Sequence, residues 1–389
     1  MGAIEDLCDF VRSQFERRNR ISAEYIPAHC EALAEACREM AERFRRGGRL
    51  LAAGVGACAT DAQHVSVEFV HPVIVGKRAL PALDLSLAPR AMLDALVRPD
   101  DIVMGFAPPA GDAELTAALD RIRDRGALVC SWPGRLGDHP LPAACDDPFI
   151  HQELTELMYH TLWETVHVFF EQQSRGDDVG EAGFLYPFLG GQTAADASDA
   201  LADVAASIRQ KAADDERLRT QFAAEQAPAL ADAALAVRER IDAGGAILAM
   251  GNGGSATDAN DLMLDCVAPP NGMRPIAAIS LSLEPAILSA ISNDVGVERV
   301  FLRQLIANGR PQDVVVGIST SGKSKNIAAA LREARKRGML VLGLAGYDGG
   351  DLVREKLADY AFVVRSDYIP RIQEVQASIY HVLRLALER

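Results

Sequence analysis

The chain's 389 residues suffice for two or three domains of about 150. With 49% apolar and 24% charged residues it buries a core and is not a disordered chain. Forty Lys and Arg against 54 Asp and Glu leave a net charge of −14, which argues against nucleic-acid and membrane-surface partners, since both call for a basic patch. Apolar runs fall short of the ~18 residues of a membrane span, and the start Met1-Gly2-Ala3-Ile4-Glu5-Asp6 has no secretory pattern. Seven cysteines without a Cys-x-x-Cys pair fit neither a disulfide framework nor a cysteine zinc site. A reduced, cytoplasmic setting is expected.

From the N-terminus, amphipathic periodicity predicts helices over Ala3–Arg17 and Ala23–Arg46, closed by Gly47-Gly48. A short apolar run to Ala53 then reads as a buried strand leading into Gly54-Val55-Gly56-Ala57-Cys58. His64 and Glu68 follow at i and i+4, on one face of the next helix. Gly105-Phe106-Ala107-Pro108-Pro109-Ala110 ends a later strand, where two prolines remove backbone donors. Gln152 and His160 close this half. Residues 172–197, rich in Gly, Gln, Asp and Pro around an apolar Phe184–Phe188 patch, read as a linker. Helices are expected again at Ser198–Phe222 and Pro228–Ala243, closed by Gly244-Gly245. Strands over Ala246–Met250, Ile276–Leu281, Val314–Ile318, Leu340–Leu344 and Ala361–Val364 then alternate with helices such as Lys325–Arg337.

The chain repeats itself. Arg49–Ala62 aligns with Ala246–Ala259, and the same displacement superposes the two Gly-Gly pairs. Arg98–Gly105 parallels Arg310–Gly317, and Gln152-Glu153 with Tyr159-His160 parallels Gln373-Glu374 with Tyr380-His381. Matches in the same order imply two tandem domains, residues 1–171 and 198–389, with extra residues in the second copy around Ile291–Ile306. The alternation implies an α/β fold, each copy a mostly parallel sheet flanked by helices in a flavodoxin-like three-layer sandwich.

Chemistry concentrates in the second copy. Gly251-Asn252-Gly253-Gly254-Ser255 follows a strand and opens a helix, as does Ser319-Thr320-Ser321-Gly322-Lys323-Ser324. Glycine lets backbone N–H groups approach an anion, clustered hydroxyls add donors, and a helix start adds partial positive charge. That is the chemistry for holding a phosphomonoester. The pattern is neither a P-loop nor G-x-G-x-x-G, so no nucleotide cofactor is expected. Asn293-Asp294 is expected at another strand end.

With Ser292-Asn293-Asp294 and Arg371-Ile372-Gln373-Glu374, these loops resemble the sugar isomerase (SIS) domain family, and within it the phosphoheptose isomerases. The resemblance covers Ser198–Arg389 throughout and residues 1–171 more weakly. It implies a sugar phosphate held by Asn252, Gly253, Ser255, Ser319, Thr320, Ser321 and Ser324, with Asn293, Asp294 and Gln373 on the sugar. It implies interconversion of a ketose and an aldose 7-phosphate, D-sedoheptulose 7-phosphate and D-glycero-D-manno-heptose 7-phosphate, through an enediol. The family's proton-transfer Glu and His fall on Glu68 and His160 in the first copy. In the second they fall on Asp265 and His381, and Asp261 stands where the family has a further His. Some members hold zinc on a His/Glu/Gln/His set, here His64, Glu68, Gln152 and His160. Members are homotetramers, so two fused copies imply a homodimer equivalent to that tetramer.

The departures are complementary: the second copy keeps the phosphate loops with a shortened carboxylate, and the first keeps His64, Glu68, Gln152 and His160 without the loops. The first copy is therefore expected to lend its acid/base or metal set to the second's phosphate site. Two other readings stand beside this one: catalysis by Asp265 and His381 within the second copy, and a non-catalytic SIS protein that serves as sugar-phosphate sensor or protein scaffold.

Overall fold

The computed structural model describes residues 2–72, 77–173, 197–270 and 272–389. The expected linker lies outside the described residues, apart from its first two positions and its last. The chain divides into two units, one of Met1–Arg20 with Asp215–Arg389 and the other of Ile21–Asp214. These differ from the halves expected from the repeat, because two long helices each contribute to both. Helix α1 (Gly2–Arg45) and helix α6 (Ala197–Asp242) run on where helix breaks were expected, with Pro27 and Pro228 inside them. An internal proline forfeits a backbone bond, and side-chain burial on each helix offsets that. Leu7, Val11 and Phe15 join the core of Leu218, Phe222 and Leu230, while Ile208 and Ala212 join that of Ile26, Leu33 and Met40.

The first copy contains β1 (Leu50–Gly54), α2 (Ala59–Val70), β2 (Ala82–Asp84), α3 (Pro89–Leu96), β3 (Ile102–Phe106), α4 (Ala113–Asp124), β4 (Leu128–Trp132), β5 (Gly134–Leu136), β6 (His139–Leu141) and α5 (Pro148–Gln173). Its sheet runs β2-β1-β3-β4-β5-β6, parallel through β4 with an antiparallel β5–β6 hairpin at the edge. The second copy contains β7 (Ile247–Met250), α7 (Gly254–Val267), β8 (Ala278–Ser280), α8 (Pro285–Val295), α9 (Val300–Asn308), β9 (Val314–Ser319), α10 (Lys325–Lys336), β10 (Leu340–Gly346), α11 (Gly350–Arg354), β11 (Tyr360–Val364) and α12 (Ile369–Ala386). Its sheet is wholly parallel in the order β11-β10-β9-β7-β8.

Strand alternation makes each sheet the middle of three layers. Leu50, Ala52, Ile102 and Met104 face one core, while Leu51, Ala53 and Val103 face the other. In the second copy Ile247, Ala249, Val314 and Val316 divide in the same way from Leu248, Met250 and Val315.

The repeat persists down to single hydrogen bonds. Arg49 N donates to Asp101 Oδ1 at 2.9 Å, and Ala246 N donates to Asp313 Oδ1 at 2.9 Å. Arg43 Nη1 donates to the carbonyls of Pro99 and Gly126, and Arg240 Nη1 to those of Pro311 and Gly338. Both sheets therefore place equivalent loops at the carboxyl ends of equivalent strands.

Candidate functional site

The two hydroxyl loops of the second copy leave the carboxyl ends of neighbouring parallel strands, β7 and β9, where open α/β sheets present ligand-binding loops. Gly251 is required there: a Cβ on it would stand 1.9 Å from the Ser255 carbonyl oxygen. Gly251 N donates to Ser282 Oγ at 3.0 Å, and that hydroxyl donates back to Gly251 O at 2.9 Å. Asn252 and Asn326 exchange two side-chain bonds, at 3.1 and 2.8 Å, which tie one loop to the other. Ser255 and Ser319 are buried, and Ser319 Oγ lies 3.0 Å from Ser324 Oγ. Gly322 adopts φ +63°, and a Cβ there would strike the Gly349 carbonyl oxygen at 2.1 Å. Ser324, the N-cap residue of α10, makes no side-chain capping bond, and the N-cap residue of α7 is Gly253. That favours an anion cradle over plain helix capping.

The first copy has no such cradle. Val55 stands in place of Asn252, and the loop after β3 carries Pro108 and Pro109. Cys58 is buried, a small apolar filler.

Two buried clusters lie where the helix after each copy's first strand meets that copy's last helix, α2 with α5 and α7 with α12. In the first copy, His64 Nε2 is 3.3 Å from His160 Nε2 and 3.8 Å from Glu68 Oε1. Glu156 Oε1 lies 3.9 Å from His64 Nδ1 and 4.0 Å from His160 Nε2. Burial, together with the Glu164 carboxylate, pushes Glu68 up to about 8, a range suited to proton exchange near neutrality. In the second copy, His381 Nε2 sits 3.2 Å from both Asp261 Oδ2 and Asp265 Oδ2, and Tyr380 Oη donates to Asp261 Oδ2 at 2.9 Å. Burial, reinforced by the neighbouring Asp261, raises Asp265.

The donor chemistry of the first cluster suits a divalent cation. His64, Glu156 and His160 each offer one ligand atom, all within 4.8 Å of one another. Two nitrogens 3.3 Å apart match the ~3.4 Å that Zn–N bonds of about 2.0–2.1 Å subtend at a tetrahedral angle. Asp261, Asp265 and His381 form a second such group, richer in oxygen.

A family model described as the SIS domain matches residues 212–346. Over 152 residues the chain is 45% identical to the phosphoheptose isomerase of Helicobacter pylori strain P12, covering 39% of this chain and 78% of that protein. Over 141 residues it is 49% identical to the phosphoheptose isomerase of Solidesulfovibrio magneticus strain RS-1, covering 36% and 68%. The chain belongs to the SIS-domain family, and it is an isomerase. Among solved structures, the tagatose-6-phosphate ketose/aldose isomerase of Escherichia coli superposes with a TM-score of 0.54 over 97% of this chain and 92% of its own, at 15% identity, which is a likeness of fold.

As an SIS protein the chain departs from the expected site in several places. Asn293 and Asp294 were expected at a strand end; they lie exposed in the last turn of α8, with Asn293 Nδ2 bonded to Asp294 Oδ1. The apolar run ahead of them (Ala286-Ile287-Leu288) belongs to α8 rather than to a strand. Gln152 Nε2 donates to Thr60 Oγ1 at 3.2 Å, and Glu156, unremarked in the sequence, completes the His64–His160 group. Its signal was the i, i+4 spacing to His160. Gln373 is buried near the start of α12, and Arg371 there pairs with Glu374 at 2.9 Å, a structural ion pair. Asn326 was also passed over, because an Asn in the first turn of a helix reads as ordinary polar surface. No helix among the described residues is long and apolar enough to cross a membrane.

Proposed function

We propose that this SIS isomerase interconverts D-sedoheptulose 7-phosphate and D-glycero-D-manno-heptose 7-phosphate through an enediol. The observation that carries the reading is the cradle itself: two hydroxyl-bearing helix starts on adjacent strands, bridged by Asn252 and Asn326. The phosphate takes Ser255, Ser319, Thr320, Ser321 and Ser324, with the Gly253 backbone beside them. Asn293, Asp294 and Gln373 are assigned to the sugar hydroxyls. Similarity to the phosphoheptose isomerases supports this choice of sugar.

The reaction moves a proton from the carbon beside the carbonyl to its neighbour, so a base must come within about 3 Å of a C–H bond. We assign proton transfer to Glu68 with His160, because Glu68 keeps the longer carboxylate and burial brings it near neutrality, and give Asp265 and His381 a structural role. Zinc is the cation proposed for His64, Glu156 and His160, with Glu68 beside them; when bound it would supply Lewis acidity toward a carbonyl oxygen. Gln152, bonded to Thr60, fixes the α5 face that carries this set.

The test is turnover of sedoheptulose 7-phosphate by the full chain, followed by NMR. Glu68→Gln is expected to lower kcat by 10²–10⁴, the usual weight of a general base, and Asp265→Asn by less than about tenfold. Wild-type turnover in Glu68→Gln removes the assignment, and loss of turnover in Asp265→Asn alone returns the chemistry to Asp265 and His381.

A further inference from the structure

Beside the cradle, strand β10 pairs in parallel with β9, and its carboxyl end runs into the turn Tyr347-Asp348-Gly349 ahead of α11. Two backbone bonds tie this turn to the hydroxyl loop: Gly346 N donates to Thr320 O at 2.8 Å, and Leu352 N to Gly322 O at 3.1 Å. On its other side Tyr347 N donates at 3.0 Å to the carbonyl of Ser366, just past β11. Tyr347 has φ +53°. Among the described residues Lys356, in an exposed turn after α11, is the other one with a side chain and positive φ. That left-handed region is disfavoured for a bulky L-residue and open to glycine. In the first copy the equivalent strand, β4, passes almost directly into the β5–β6 hairpin. The copy that lacks the hydroxyl loops therefore puts a strand where the second copy has this turn.

Backbone strain of this kind persists where the surroundings hold it, and it gathers where a side chain has a task glycine could not do. The surroundings of Tyr347 define the task. Thr320, one backbone bond away, belongs to the cradle. Burial, and after it the Asp367 carboxylate, raises the Tyr347 hydroxyl, which sets that end of the ring toward the turn opening α12. Gln373, assigned to the sugar hydroxyls, is on α12. The ring is 39% exposed, so its surface is open to a ligand without displacing packed core. A sugar carries apolar C–H faces as well as hydroxyls, and an aromatic face takes the former while polar groups take the latter. Inorganic phosphate has no such face.

We infer that Tyr347 is a specificity residue of this isomerase, a wall of the sugar site whose ring takes a C–H face of the substrate while the cradle takes its phosphate. This role rests on the cradle as proposed, so the full chain is titrated with both sedoheptulose 7-phosphate and inorganic phosphate, followed by phosphorus NMR. Tyr347→Gly keeps the left-handed backbone and removes the ring. It is expected to weaken sugar-phosphate binding about tenfold and to raise KM with it. Its kcat and its affinity for inorganic phosphate are expected within about threefold of wild type, the pattern of lost ground-state binding. Its melting temperature is expected to stay near that of the wild type, since relief of the strained tyrosine offsets the looser unfolded chain. Tyr347→Phe keeps the ring and is expected to bind both ligands as the wild type does. If Tyr347→Gly fails to fold, nitration of the wild type by tetranitromethane, mapped by mass spectrometry, replaces it. Sedoheptulose 7-phosphate is then expected to protect Tyr347, and inorganic phosphate is not. A folded Tyr347→Gly that binds the sugar phosphate as tightly as wild type, one that loses inorganic phosphate to the same degree, or nitration that ignores the sugar overturns the role of Tyr347 and leaves the cradle standing. A wild type that binds no sugar phosphate overturns the cradle, and the role of Tyr347 with it.

Discussion

Ser319 and Ser324 face each other at 3.0 Å with Ser255 buried beside the neighbouring strand end, so the cradle's affinity rests on individual hydroxyls. Each hydroxyl that donates to a charged oxygen is worth about 1.5–3 kcal/mol. Ser319→Ala and Ser324→Ala are each expected to raise KM for the sugar phosphate roughly tenfold or more while leaving kcat within a few-fold, read from steady-state kinetics. Glu68 gives a second prediction at this scale. Its folded pKa, about 8, lies above the ordinary 4.5. The protonated form is therefore favoured in the folded state, and the stability it contributes is full below about 4.5 and is lost as pH rises through 8. Thermal stability of the metal-free protein is expected to fall across that window, and the fall should shrink in Glu68→Gln. His151 and His167 work the other way. Burial lowers both to about 4, so the stability they contribute is present above about 6.5 and is lost as pH drops toward 4. A metal-free melting profile that rises monotonically from pH 5 to 8, with no change in Glu68→Gln, contradicts the Glu68 part of this account.

At the scale of elements, Gly251 and Asn326 decide whether the two loops can meet. A Cβ at position 251 would collide with main chain, which cannot rotate away as a side chain would. Gly251→Ala is expected to cost about 1–3 kcal/mol and to weaken phosphate binding, whereas Asn326→Ala should leave the fold intact and raise KM; melting and kinetics on the same samples separate the two. The second copy's strands were legible in the sequence because a strand covered on both faces is a continuous apolar run, and the observed β7, β9, β10 and β11 depart from expectation by one or two residues. Where signals compete, the sequence misled. Asn293-Asp294 follows a run such as Ala286-Ile287-Leu288, which strand and helix can both use, and tertiary context made it α8. Breaks were expected between Arg17 and Ala23 and between Phe222 and Pro228, yet burial of residues such as Phe15 and Phe222, whose rings lie 5.3 Å apart, carries each helix through. Glu156 was passed over because an acidic residue one turn before a histidine is ordinary helix surface until the fold brings His64 opposite it.

For the whole molecule, duplication explains how the two copies could diverge. With two copies of one framework, retained even to the Asp101 and Asp313 bonds, a loop can decay in one while a carboxylate shortens in the other. The zinc assignment is tested at this scale by titrating chelator-treated protein with Zn²⁺. One ion is expected to bind with a rise in melting temperature. His160→Ala should weaken binding at least about tenfold and His381→Ala much less, since two imidazoles and a carboxylate suit zinc better than two aspartates and one imidazole.

Grip and chemistry are separate tasks in this account, and calorimetric titration of sedoheptulose 7-phosphate into Glu68→Gln examines that separation most directly. The account predicts that Glu68→Gln, though unable to turn the sugar over, binds it with wild-type affinity, while a Ser319→Ala, Ser321→Ala, Ser324→Ala triple variant does not bind it measurably. Wild-type affinity in the triple variant, or loss of binding in Glu68→Gln, would contradict it.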